Sequence, residues 1–213
     1  MSLPLLIIGA GGHGRVLADL AVALDRQVLG FLDLDTLIHG REFDGIKVLG
    51  GDDCLADYSA DSVSLVNGLG SIAISDARRM VYLRLKDRGY RFASLCHPGA
   101  SLGRSVILGD GVQVMAGSIV QNGTRVDENS ILNSGSIVEH DCVIGAHTHL
   151  GPGATLCGGV RVGEDCHIGV GAVVVQGVSV GNGVLVAAGA VVVGDLPSGA
   201  RVAGVPARSM ESR

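Results

Sequence analysis

The chain has 213 residues, a formal charge of -5 at neutral pH and 3% aromatic residues, with no tryptophan. That length suits one or two domains with a sizeable core. The acidic balance argues against a nucleic-acid partner or an anionic membrane surface, and glycines and charges interrupt every apolar run well short of a membrane span.

From the amino terminus, residues 3–8 (Leu-Pro-Leu-Leu-Ile-Ile) predict a buried strand and Arg15 to Leu24 a helix, with Gly9-Ala-Gly-Gly-His-Gly14 turning between them. Gly9-x-Gly11-x-x-Gly14 in a strand–turn–helix setting matches the dinucleotide fingerprint. Its glycines let backbone approach a phosphate at the helix start. A second strand, Gln27 to Leu32, ends at Asp33 and Asp35, where an acid that holds a ribose is expected. A tight turn that merely packs a helix on a strand would carry the same glycines. Ile46 to Leu49 and Val63 to Val66 predict two more strands, the second ending at Asn67-Gly68-Leu69-Gly70. Asp76 to Arg88 predicts a helix with Met80, Leu83 and Leu85 toward the core and Gly89 as its cap. Residues 1–92 therefore read as a small Rossmann-like βαβ domain. It is half of a full dinucleotide fold, which favours one nucleotide of a nucleotide-linked substrate over NAD.

Residues 93–213 follow a different rhythm. Every sixth residue from Leu102 to Val192 is aliphatic, sixteen positions without a miss. A period of six fits neither a helix nor a plain alternating strand. It fits short strands joined by tight bends, three hexads to a triangular coil and about five coils stacked as a parallel β-helix. Of the 34 glycines, 22 lie from Gly99 onward, where corners need positive φ or lack room for a Cβ. Five cysteines without a CxxC pair read as reduced thiols of a cytoplasmic protein. The amino terminus shows no basic region followed by a long apolar segment, so no signal peptide is expected.

Residues 18 apart stack vertically in such a column. By that rule His140 stands between Asn122 and Gly158, near a corner, two residues after the inward Val138. His149 stacks between Ile131 and His167. His147 stacks between Asn129 and Asp165, a ladder that reads as solvated surface. His140 is followed by Asp141, and an imidazole with a carboxylate on its other nitrogen is suited to general-base chemistry. Neighbours in a straight strand face opposite ways, so the pair can touch only if the chain bends there. Two exposed polar corner residues are the plain alternative. The stacking rule brings no four metal-ligating side chains together, so no metal is expected. No basic residue sits beside Cys142 or Cys157 to make a thiolate.

A prism of hexads ending in Gly204-Val-Pro206-Ala-Arg208 resembles the left-handed β-helix acyltransferases that use acetyl-CoA; the left hand comes from the resemblance alone. With the glycine-loop domain and the hexad holding Glu139-His140-Asp141, the whole chain resembles the hexapeptide-repeat sugar O/N-acyltransferases. Among these it is similar to the N-acetyltransferases of bacterial glycan biosynthesis that act on nucleotide-linked 4-amino-4,6-dideoxy sugars, and to sialic acid O-acetyltransferases. The resemblance implies His140 as the base that deprotonates the sugar amine, supported by Asp141, with Asn133 positioning the reacting groups. It implies His149, Gly158 and Ala188 as the acetyl-CoA contacts, and Gly11, Gly12, His13 and Asp33, with Asn67 and Gly68, as the nucleotide-sugar contacts. It further implies a homotrimer with the CoA groove between prisms and direct transfer without an acyl-enzyme. The competing readings are O-acetylation of sialic acid or a related sugar, a non-catalytic nucleotide-sugar-binding scaffold, and, more remotely, a dinucleotide-dependent oxidoreductase.

Overall fold

The computed structural model describes residues 2–70 and 76–210. The chain divides into two compact units between Leu95 and Cys96.

In the first unit β1 (Leu5–Ile8), α1 (Gly12–Ala23), β2 (Val28–Leu32), β3 (Glu42–Phe43), β4 (Ile46–Gly50), β5 (Ser64–Asn67) and α2 (Ala77–Asp87) follow in order. The sheet order is β3-β4-β2-β1-β5, parallel throughout except for the β3–β4 hairpin. Both turn residues of that hairpin, Asp44 and Gly45, have positive φ, as a tight two-residue turn requires. All four residues of β1 are buried, as expected for an inner strand of a parallel sheet. α1 begins at Gly12 rather than Arg15, because the glycine loop itself supplies the first turn, with Gly11 as N-cap. α2 buries only part of the expected stripe: Leu85 faces inward as expected, together with Arg78 and Tyr82, and Tyr82 packs on Phe92, whereas Met80 is 60% and Leu83 36% exposed.

The second unit is a prism. Sixteen two-residue strands run from Ser101–Leu102 to Val191–Val192. Each of the first thirteen pairs in parallel with the strand 18 residues on, as in Ile119↔Ile137↔Thr155 and Ile131↔His149↔His167. The strands sort into three sheets, the faces of a left-handed parallel β-helix. The first face holds Ile119–Val120, Ile137–Val138 and their equivalents; the second holds Arg125–Val126 and Val143–Ile144; the third holds Ile131–Leu132 and His149–Leu150. Val114, Val126, Leu132, Val138, Ile144, Leu150, Leu156 and Ile168 form its interior. Leu102 belongs to the first coil, has no preceding coil to cover it, and remains 37% exposed. At the far end Arg201–Ala203 pairs with Leu185–Val186 and, antiparallel, with Arg208–Ser209.

Just before several strands, small hydroxyls and thiols replace aliphatic residues and stitch consecutive coils. Thr148 Oγ1 donates to Gly163 O at 2.8 Å and accepts from Cys166 N–H at 3.1 Å. Ser130 Oγ donates to Gly145 O, and the Cys166 thiol donates to Gly181 O at 3.0 Å. The column Asn129-His147-Asp165 is a corner in the left-handed backbone region rather than free surface. Asn129 is fully buried, and its amide lies 2.9 Å from His147 Nδ1.

A column this thin has few atoms to refill a void. Leu150→Ala is expected to cost about 2–5 kcal/mol, read from chemical denaturation; a loss below about 1 kcal/mol would show that the interior collapses around the gap.

Candidate active site

His140 and Asp141 occupy the corner between the first and second faces. Asp141 has φ 59°, the left-handed region that aspartate tolerates better than most residues. That bend swings two side chains that would otherwise diverge onto the same side. His140 Nδ1 lies 2.9 Å from Asp141 Oδ2, and both side chains are exposed. With the proton on Nδ1, donated to the carboxylate, Nε2 is left with a lone pair. Gly158 stands 18 residues on, and a Cβ built there would lie 2.7 Å from His140 Nε2. The glycine is therefore what leaves room for the ring on the next coil.

The corner is braced from the preceding coil. Thr124 Oγ1 donates to Glu139 O at 2.9 Å and accepts from Cys142 N–H at 3.3 Å, so one buried hydroxyl grips the chain on both sides of His140–Asp141. The Cys142 thiol in turn donates to Cys157 O, beside Gly158. Burial pushes the thiols of Cys142 and Cys166 up, which keeps them protonated as donors and unfit as nucleophiles.

A second group of expected site residues gathers elsewhere. The amide of Asn133, at the corner between the third and first faces, lies 3.1 Å from His149 Nε2, and its oxygen accepts from Ser134 N–H. His149 is buried and meets the His167 ring edge-on at 5.1 Å. Burial lowers the pKa of His167. Ala188 is exposed at this same corner, between Leu185–Val186 and Val191–Val192. Within one chain, then, His140, Asp141 and Gly158 share one corner, Asn133 and His149 meet at another, and Ala188 lies on that same edge three coils further along. Among the described residues no three His, Cys, Asp or Glu side chains converge as metal ligands.

In the first unit the glycines divide by purpose. A Cβ at Gly14 would strike Gly9 O, and one at Gly68 would lie 2.6 Å from the same oxygen, so both let the helix and the loop after β5 press on β1. Gly11 and Gly12 are exposed at the start of α1, and a Cβ at either would meet open space; a helix start of this kind suits an anion. His13 is the second residue of that helix. Asp33 braces the loop: Oδ2 accepts from Ala10 N–H at 2.7 Å and Oδ1 from Asp35 N–H at 2.9 Å. Asn67 is buried, its amide donating to Arg78 O and its oxygen accepting from Leu69 N–H, so its side chain holds the loop's shape. Arg78, which sequence reasoning passed over, donates to Asn67 O and Leu69 O, and burial lowers its pKa to about 9.

A cleft of about 160 Å³ opens at the carboxyl ends of β1 and β2, lined by Gly9, Asp33, Leu34, Asp52, Leu69 and Arg84 among others. It lies between the loops after β1 and β5, where the chain order reverses across β1, the usual ligand position in an open parallel sheet. Asp52 and Arg84 form an ion pair at this cleft that no motif announced.

Comparison with known proteins matches this geometry to a family. Residues 4–83 match the PglD N-terminal domain, residues 123–158 the bacterial transferase hexapeptide (six repeats), and residues 159–193 the hexapeptide repeat of succinyl-transferase. The chain belongs to the hexapeptide-repeat sugar acetyltransferases, enzymes that use acetyl-CoA. More particularly, it is similar to PerB from Caulobacter crescentus, whose structure was determined with CoA and GDP-perosamine. The two are 36% identical, with a TM-score of 0.90 over 98% of this chain and 97% of that one. It is likewise similar to the acetyltransferase domain of PglB from Neisseria gonorrhoeae, at 38% identity and a TM-score of 0.89 over 97% and 99% of the two chains. WeeI from Acinetobacter baumannii is 25% identical, with a TM-score of 0.86 over 98% and 100%.

Because the folded state disfavours protonation of His167, the unfolded chain binds more protons between that lowered value and the ordinary histidine range near 6.5. The His167 contribution to stability is full above about pH 6.5 and is lost as pH falls below it. Denaturation midpoints across this range are expected to drop less steeply in His167→Gln than in the unmodified protein; parallel slopes would refute the assignment.

Proposed function

We propose that the protein transfers the acetyl group of acetyl-CoA to the amine of a nucleotide-linked 4-amino-4,6-dideoxy sugar, for bacterial glycan biosynthesis in the cytoplasm. The observation that carries this reading is the His140 ring, held to Asp141 at 2.9 Å by one nitrogen while the other overlies Gly158. Among the described residues no helix is long and apolar enough to cross a membrane.

In this reading His140 Nε2 takes the proton shed as the sugar nitrogen bonds to the acetyl carbonyl carbon. The tetrahedral centre then collapses, the carbon–sulfur bond breaks, and the imidazolium returns its proton to the departing sulfur so that free thiol leaves. Asp141 fixes the tautomer and stabilises the imidazolium. Asn133 and His149 position the reacting groups and the thioester, and Gly158 and Ala188 line the path of the pantetheine arm. At the other end, the amides of Gly11 and Gly12 with His13 receive the diphosphate, Asp33 takes the ribose with its spare lone pairs, and Asn67 and Gly68 shape the adjoining loop.

A homotrimer accounts for the split between corners. Threefold rotation sets one corner of a prism against a different corner of the next. The His140 corner of one copy would then meet the Asn133–His149 corner of its neighbour and complete the site.

Thiol release from acetyl-CoA, measured against UDP-, GDP- and dTDP-linked 4-amino sugars, tests the activity; turnover with free sialic acid and none of these would favour O-acetylation instead. His140→Asn is expected to lower kcat about 10²–10⁴-fold, and an unchanged rate would remove the mechanism. Gly158→Ala is expected to displace the ring and lower kcat on the order of a hundredfold while leaving the melting temperature nearly unchanged. Its new methyl meets only the far end of a side chain, so a collapse in stability would contradict this account.

A further inference from the structure

The cleft in the first unit has apolar walls, including Leu32, Leu34, Leu69 and Val81, and two kinds of polar group. Asp33 already spends both carboxylate oxygens on backbone N–H groups. Among the described residues, the Asp52–Arg84 ion pair holds no loop backbone in this way. It joins the turn after β4 to α2 through one oxygen, Oδ2, and Asp52 remains 24% and Arg84 50% exposed. An ion pair this accessible contributes little to stability, so the fold itself gives small reason for it.

Its chemistry suits a particular flat ring. An apolar cavity of about 150 Å³ takes one benzene-sized ring, and this cleft, at about 160 Å³ and open on one side, seats a heterocycle with an edge at the rim. The rim then presents a carboxylate acceptor beside guanidinium donors. Guanine carries two adjacent donors, N1–H and the N2 amine, next to the O6 acceptor, so the carboxylate takes the donors and the guanidinium takes the oxygen. Uracil and thymine flank a single N–H with two carbonyls, which turns one carbonyl toward the carboxylate. Cytosine and adenine each place a bare ring nitrogen beside their amine.

Resting on the nucleotide-sugar reading given above, we propose that this cleft holds the nucleobase and that Asp52 and Arg84 select guanine, making the natural substrate a GDP-linked sugar. The amides at the start of α1 lie beyond Gly9, so a base in the cleft leaves the diphosphate directed toward them.

Titration calorimetry of the full chain with GDP, UDP, dTDP and CDP tests this. GDP is expected to bind about tenfold or more tighter than the others. Asp52→Asn, with an unchanged melting temperature, is expected to weaken GDP about ten- to a hundredfold and to shift UDP by less than about twofold; Arg84→Gln should erode the same preference. Tightest binding of a pyrimidine diphosphate, or an equal loss for all four ligands in Asp52→Asn, overturns the guanine assignment while leaving the nucleotide-sugar reading intact. Failure of every diphosphate to bind overturns both.

Discussion

The structure rests on one repeated bond: a strand N–H reaching a carbonyl seventeen residues on, in the coil above. Ile119 N–H meets Ser136 O, Ile137 N–H meets Ala154 O, and Thr155 N–H meets Ala172 O, all between 2.8 and 2.9 Å. Each strand is only two residues long and has no stability of its own, so a coil exists because its neighbours satisfy its backbone. The inward aliphatic at each step excludes water from those bonds, and the hydroxyls and protonated thiols before the strands occupy carbonyls that the corners would otherwise leave open. Placement in such a lattice is rigid, since moving one residue would require shifting several coils.

That rigidity is what the chemistry uses. His140 sits on a two-residue bend with exposed side chains, a position that would wander on an ordinary loop. Here Thr124 grips the carbonyl before it and the amide after it, Cys142 fixes the next corner, and Gly158 leaves the ring its berth. The glycine unit uses the opposite means. It clears side chains from the α1 start so that the backbone there is exposed, and Asp33, Asn67 and Arg78 spend their polar groups holding the surrounding loops. One unit presents side chains from a fixed lattice, and the other presents backbone through cleared space.

Periodic features were legible in the chain. The sixfold aliphatic repeat, the stacking rule of 18, and the strand–glycine–helix start depend on local sequence and appear as read. On α2 Leu85 was placed correctly but Met80 and Leu83 were not, because local spacing does not reveal which side of a helix the sheet covers: those two face solvent while Arg78, charged and formally a surface residue, is buried to tie the loop at Asn67 and Leu69. Asn129 and His147 looked like open surface for a similar reason, since a left-handed corner turns a polar side chain back along the column.

The sequence by itself determined the repeat, the identity of its inward residues and the adjacency of His140 to Asp141, because all three are set by spacing along the chain. Only the tertiary structure decided that the pair touches, since contact depends on the backbone bend at Asp141. It also decided that Asn133 and His149 meet each other rather than His140, and that Asp52 and Arg84, 32 residues apart, close on one cleft. Those are consequences of which corner or loop each residue reaches once the coils and the sheet have closed, and no local pattern encodes that.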